Sequence, residues 1–154
     1  MNYEDLLKIS EAGQLDVREK DLRGSDGRIR GKRVAIRKTL ATETEKACVL
    51  AEELGHYATT SGDILDQSLP ENRQQELRAR AWGYDLMIGL AGLISGYERG
   101  CRTRWELAEH LGVTEEYLQA AIDWYRAKYG VSVDFGGYTV FFEPGLGILR
   151  KTNE

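Results

Sequence analysis

Residues 43–57 read ETEKACVLAEELGHY, and this stretch predicts the helix that decides the fold. Thr42 precedes it and Glu45 follows three residues later, which is the capping-box pattern: each side chain binds a free backbone N–H of the first helical turn. Small, apolar and aromatic residues then recur at spacings of three and four, which places them on one face: Ala47, Leu50, Leu54 and Tyr57. The stretch therefore predicts an amphipathic helix with this face against a core.

Three residues in the second half of this helix have the spacing of a metal-binding helix. Glu52 and His56 are four residues apart and project side by side, while Glu53 points to their flank. In the H-E-x-x-H motif this geometry lets two histidines bind zinc while the glutamate activates water. Here Glu52 stands in place of the first histidine, and its carboxylate can bind zinc at about the same distance as an imidazole. Taken alone, the pattern also fits an ordinary helix with acidic surface residues.

A third ligand has to come from another element, because a mononuclear hydrolytic site uses three protein ligands and keeps one position open. His110 is the only other histidine, but it lies in the last turn of a predicted helix, where a cation is favourable, and we assign it a structural role. Glu76 is better placed, on a second helix predicted over residues 70–87. It shares a stripe with Ala79 and Gly83, whose small side chains let another helix approach closely.

The remaining segments predict an α+β fold. A short helix over residues 3–12 precedes alternating segments within residues 14–40, which predict a small antiparallel sheet of two or three strands. Further helices follow. Residues 131–135 and 138–142, joined by two glycines, predict a C-terminal β-hairpin with a type I′ turn. Residues 58–68 are rich in turn formers and predict a loop.

Length, charge and cysteine content limit the classes of function. The chain has 154 residues, enough for a single domain, and a formal net charge of -4, which argues against a broad nucleic-acid or membrane surface but leaves room for a local basic patch. Cys48 and Cys101 lie far apart and are predicted to be buried thiols outside any disulfide. The acidic N-terminus and the lack of an apolar run near ~20 residues predict a cytoplasmic protein without a membrane segment.

Residues 103–129 have the pattern of a helix-turn-helix. Ala108 and Gly112 occupy its small and turn positions. The second helix, however, begins with Glu115 and Glu116, which DNA phosphates would repel, so we expect no direct nucleic-acid binding by this pair or by the protein as a whole. The pair either completes the fold or docks a protein partner with a basic surface.

Two segments together resemble a known family. KACVLAEELGHY (46–57) and ELRARAWGYDLMI (76–88) resemble the ImmA/IrrE family of metallo-endopeptidases, familiar from phages and mobile elements of bacteria. The family pairs H-E-x-G-H or H-E-L-G-H with a downstream E-x-x-A-x-x-F-A helix, whose positions are occupied here by Glu76, Ala79, Trp82 and Gly83. The order of predicted elements also agrees over nearly the whole chain.

The resemblance implies a mostly helical, zincin-like domain over residues 1–154 that acts as a metal-dependent endopeptidase. Glu53 is the implied general base, and the implied metal ligands are Glu52, His56 and Glu76. Proximity in sequence, rather than the resemblance, makes Tyr57 or an arginine from residues 73–80 a candidate to stabilise the oxyanion. Zn²⁺ is the expected ion, although two carboxylates and one imidazole form a harder donor set that also suits Mn²⁺ or Fe²⁺.

The resemblance also implies the partner. The expected substrate is a helix-turn-helix transcriptional repressor of a phage or mobile element, which the enzyme cleaves or inactivates. The alternative is a degenerate, non-catalytic antirepressor that lacks the first histidine and acts by binding the repressor alone.

Overall fold

The computed structural model describes residues 1–59 and 70–152, and the chain forms two compact units, Met1–Leu86 and Met87–Glu154. The fold class is α+β, as the sequence predicts. Whether the whole chain behaves as one domain stays a prediction. Of the predicted loop, residues 60–68 lie outside the described residues, and residues 58 and 59 belong to the preceding helix. Among the described residues, no helix has the combined length and apolarity needed to cross a bilayer.

The helices and strands have the following bounds. The first unit contains α1 (Tyr3–Ala12), β1 (Asp16–Lys20), β2 (Gly27–Arg30), β3 (Arg33–Arg37), α2 (Glu43–Thr59) and all but the last residue of α3 (Pro70–Met87). The second unit contains α4 (Gly89–Arg99), α5 (Arg104–Leu111), α6 (Glu115–Tyr129), β4 (Ser132–Phe135), β5 (Tyr138–Phe141) and β6 (Gly147–Arg150).

The start and buried face of α2 follow from its local sequence. Thr42 Oγ1 accepts a hydrogen bond from the Glu45 N–H at 3.1 Å, and the Glu45 carboxylate accepts one from the N–H of Ala41 at 3.1 Å. Three of the four predicted core residues are buried: Ala47, Leu50 and Leu54. The prediction for Tyr57 is wrong. Its side chain is 43% exposed because it lies beyond Gly55, the last buried residue of the helix.

The first sheet has the strand order β1-β3-β2 and is mixed. The antiparallel prediction is confirmed for β2 and β3, but β1 and β3 are parallel. The reason is that β3 turns back across residues 31–32 and carries the buried Val34 and Ile36, which place it in the centre of the sheet. It therefore lies between β1 and β2 and runs in the direction of β1.

The second unit contains the predicted hairpin and an additional strand. Gly136 and Gly137 connect β4 to β5 with φ angles of 56° and 83°, the positive values that a type I′ turn requires. β6 adds to β5 as a third antiparallel strand, which the sequence did not indicate. Tyr125 of α6 and Phe142 are among the largest buried side chains and have their ring centroids 6.3 Å apart.

The two cysteines form no disulfide, as predicted. Cys48 is buried in α2, whereas Cys101 is only half-buried.

Candidate metal centre

Glu52 and His56 on α2 lie close to Glu76 on α3. One ligand atom from each of the three side chains lies within 4.8 Å of the other two, and all three side chains are partly buried. His56 Nε2 is 3.4 Å from Glu76 Oε2. The structure thus brings together the three residues predicted as ligands, whereas their role as ligands stays a prediction.

The two helices approach closely because both present a small residue at their contact. A Cβ atom on Gly55 would overlap the carbonyl oxygen of Ala79. Ala79 is fully buried. The sequence predicted the small residue on α3 but not its counterpart on α2, although Gly55 directly precedes His56. This backbone contact holds Glu76 within reach of His56.

Glu53 lies on the flank of this cluster, as its helical position predicts. It is only 8% exposed. A Cβ atom on Gly27 would lie 2.8 Å from Glu53 Oε1 and 2.7 Å from Val49 Cγ1. Gly27 of β2 therefore leaves the space that the Glu53 carboxylate needs, and nothing in the sequence indicated this role.

Arg80 supplies a positive charge at the cluster. Its Nε lies 3.5 Å from Glu52 Oε1 and 3.6 Å from Glu76 Oε1, and its side chain is 50% exposed. It is one of the arginines considered for the oxyanion. In the structure it instead contacts two of the three carboxylates. Arg80 therefore contacts Glu52, the residue that replaces the first histidine of the H-E-x-x-H motif.

The ionisable groups of the cluster shift one another's pKa values. Burial raises the pKa of Glu53 to about 7. Burial, followed by a hydrogen bond with Glu76, raises the pKa of Glu52. The hydrogen bond between His56 and Glu76 raises the pKa of the imidazole and lowers the pKa of the carboxylate. The cluster therefore favours added positive charge, either as protons or as a cation.

The donor set fits a first-row divalent ion. Tetrahedral zinc has bonds of about 2.0–2.2 Å, so its ligand atoms lie roughly 3.4 Å from one another. The distance of 3.4 Å between His56 Nε2 and Glu76 Oε2 agrees with this spacing. Glu52 is the third candidate ligand, with its ligand atom within 4.8 Å of the other two, and Glu53 lies outside this set.

His110 is not part of this cluster. Its Nε2 is hydrogen-bonded to Ser95 Oγ at 2.8 Å, within the second unit. This partner gives it the kind of structural contact that the sequence suggested.

Several polar side chains of the helix-turn-helix-like pair bind to one another within the pair. Gly112 between α5 and α6 has the left-handed φ of 72° that such a turn needs. Arg104 lies 3.5 Å from Glu115 and donates to Gln119 at 3.0 Å. Gln119 in turn donates to Asp123 at 3.0 Å. Gln119, the residue near the start of α6 that is suited to reading a base, is therefore held by its own helical pair.

Two adjacent helices of this α+β chain bring together two carboxylates and one imidazole, which matches the number of protein ligands in a catalytic zinc site. Comparison with known families agrees: a peptidase-family model described as the IrrE N-terminal-like domain matches residues 2–123 of the 154. The chain belongs to this family, and the resemblance to ImmA/IrrE proteins is confirmed. No curated protein and no solved structure matches the chain significantly. Family and donor cluster together indicate a metallopeptidase type of protein.

Proposed function

We propose that this protein is a metal-dependent endopeptidase that cleaves or inactivates a helix-turn-helix transcriptional repressor of a phage or mobile element. The observation that carries the proposal is the convergence of Glu52, His56 and Glu76 beside the buried Glu53. Family membership supports the class of reaction. The repressor is the substrate that the resemblance to ImmA/IrrE proteins implies.

In this proposal the three clustered side chains hold the ion, with zinc as the expected metal and manganese or iron as the alternatives. When bound, the ion supplies Lewis acidity, which polarises the scissile carbonyl and makes a water molecule easier to deprotonate. Glu53 accepts the proton of the attacking water and later donates it to the leaving amine. Burial raises the pKa of Glu53, which helps this carboxylate to accept and hold the proton during the transfer.

The test is cleavage of a candidate repressor, best taken from a reading frame adjacent to the gene, by zinc-equilibrated protein. Glu53→Gln keeps the size of the side chain but cannot accept the proton, so cleavage should fall by about 10²–10⁴-fold. Metal content and repressor binding should remain. Glu43→Gln, at the exposed start of the same helix, is the matched control and should cleave at the wild-type rate. Cleavage by Glu53→Gln at that same rate would rule out the assigned role.

A second candidate function is favoured by Arg80. Its guanidinium lies beside Glu52 and Glu76, so it partly neutralises the cluster without an ion. Under this alternative the protein is a non-catalytic antirepressor that acts by binding alone. The wild-type protein would then capture the repressor intact, and Glu53→Gln would release repression as well as the wild-type protein does.

A further inference from the structure

Positive charge is concentrated in one segment of an otherwise acidic chain. Residues 18–38 contain nine Lys and Arg against three Asp and Glu, although the formal net charge of the whole chain is -4. This segment forms most of the first sheet, β1-β3-β2. The net charge therefore conceals a local basic surface.

One face of this sheet gathers five of these cations around a depression of about 390 Å³. All five are exposed. We call this surface the basic face, and its cations are Arg18, Lys20, Arg28, Arg30 and Arg33.

Strand register explains how the cations come to lie together. Arg18 on β1 and Arg28 on β2 both pair with Ala35 on the central strand, so the three residues form one row on the same face. Two strand spacings separate the arginine Cα atoms by about 10 Å. The small Ala35 between them leaves the depression. In the neighbouring row Arg30 is directly opposite Arg33.

Most of these cations form no ion pair within the described part of the chain. In the part of the chain that the structure describes, Arg18 is the one member of the basic face with an ion pair, at 3.2 Å from Asp16. Like charges directly opposite each other, as in Arg30 and Arg33, destabilise a sheet. Charged residues do protect exposed strand edges from pairing, but Arg33 belongs to the central strand, which has no free edge. Asp16 lies opposite Arg33 on the other side, in β1, and is the one acid in the described lining against five cations. The remaining excess of positive charge favours an anionic partner.

We propose that the basic face binds a nucleic-acid duplex through its phosphates, without sequence preference. A protein partner would need an apolar centre. Among the described residues, however, the lining contains one small apolar side chain, Ala35, besides the buried Val34. A single strand would need aromatic side chains for base stacking, and the described lining residues include none. Arginine-rich, polar and strongly positive surfaces are typical of duplex contacts. This inference revises the expectation of no direct nucleic-acid contact and does not depend on peptidase activity.

The experiment is fluorescence anisotropy of the full chain with a labelled duplex DNA of arbitrary sequence over a range of salt concentrations. Four or five phosphate contacts predict a slope of about -4 for log K against log[salt]. The double variant Arg28→Glu/Arg30→Glu should bind at least about tenfold more weakly in low salt, and its slope should be shallower by about 2.

The matched control is Lys8→Glu/Arg102→Glu, which changes the net charge by the same amount at exposed sites outside the basic face. Circular dichroism checks that both variants fold. Binding that is retained by the control and lost in the Arg28/Arg30 variant supports the proposal. Equal weakening of both variants overturns it, as does a wild-type protein that does not bind the duplex in low salt. Preference for a poly-glutamate peptide over the duplex would overturn it in favour of an acidic protein partner.

Discussion

Glu52 is the residue that distinguishes this chain from the H-E-x-x-H motif. A carboxylate in place of an imidazole adds a negative charge beside Glu53 and Glu76. Two features of the structure reduce the effect of that charge. Arg80 lies 3.5 Å from Glu52, and burial together with the Glu76 hydrogen bond raises the pKa of Glu52. The cluster still offers three donor side chains, Glu52, His56 and Glu76. Two carboxylates and one imidazole form a harder donor set than two imidazoles and one carboxylate.

The buried Glu53 should make the metal-free protein less stable as pH rises. Burial raises its pKa from 4.5 to about 7 in the folded state. Between these values the folded protein binds more protons than the unfolded chain, so the free energy of unfolding falls with increasing pH. The loss attributable to this residue is complete above about pH 7 and amounts to at most about 3 kcal/mol.

Urea unfolding of chelator-treated wild-type protein and Glu53→Gln at pH 5 and pH 8 measures this loss. The variant cannot ionise, so its stability relative to the wild-type protein should be greater at pH 8 than at pH 5. His56 and the other glutamates titrate in both proteins, and the comparison largely cancels their contribution. A difference between the two proteins that does not change with pH would contradict the assigned pKa shift.

The sequence was sufficient for part of the site at this scale. Helical spacing alone places Glu52, Glu53 and His56, because four residues make about one turn. The contact of Arg80 with Glu52 depends on how two helices face each other, which no local pattern encodes. The same holds for Gly27, which makes room for a side chain far from it in sequence.

At the scale of elements, the site depends on the approach of α2 and α3. Gly55→Ala places a methyl group on the carbonyl oxygen of Ala79, and a backbone atom cannot rotate away. Alanine favours a helix over glycine by about 1 kcal/mol, but overpacking costs about 1–3 kcal/mol or more. We expect net destabilisation and weaker metal binding, because Glu76 moves away from His56.

Thermal unfolding and metal titration of Gly55→Ala check this expectation. Gly92→Ala is the control: it also lies within a helix, and its new methyl group would meet only side-chain atoms of Leu111 and Ile88. The control should change stability and metal binding little. If Gly55→Ala bound metal as tightly as the control, the close approach would not be what forms the site.

The elements themselves were predictable where their signals are local. Capping residues marked the start of α2, and paired glycines marked the β4–β5 turn. The parallel pairing of β1 with β3 was not predictable, because it follows from β3 taking the central position with its buried Val34 and Ile36. β6 was missed for a similar reason. Its four residues, which begin with Gly147, form a strand because they pair with the free edge of β5.

In the whole molecule, the candidate metal centre and the basic face lie on different segments of the chain. The candidate metal centre lies on α2 and α3, whereas the basic face belongs to the sheet before them. The family match ends at residue 123, within α6, so the C-terminal sheet lies outside it. The proposed peptidase activity and the proposed duplex binding are therefore tested by different variants.

Metal content tests the central claim most directly. The purified, tag-free protein and His56→Ala are equilibrated with limiting zinc, manganese and iron, and bound metal is measured by elemental mass spectrometry. The proposed metal centre predicts roughly one ion per chain in the wild-type protein, as three protein ligands at one site require, and its loss in the variant. Absence of bound metal from both proteins, or equal binding by both, would contradict it.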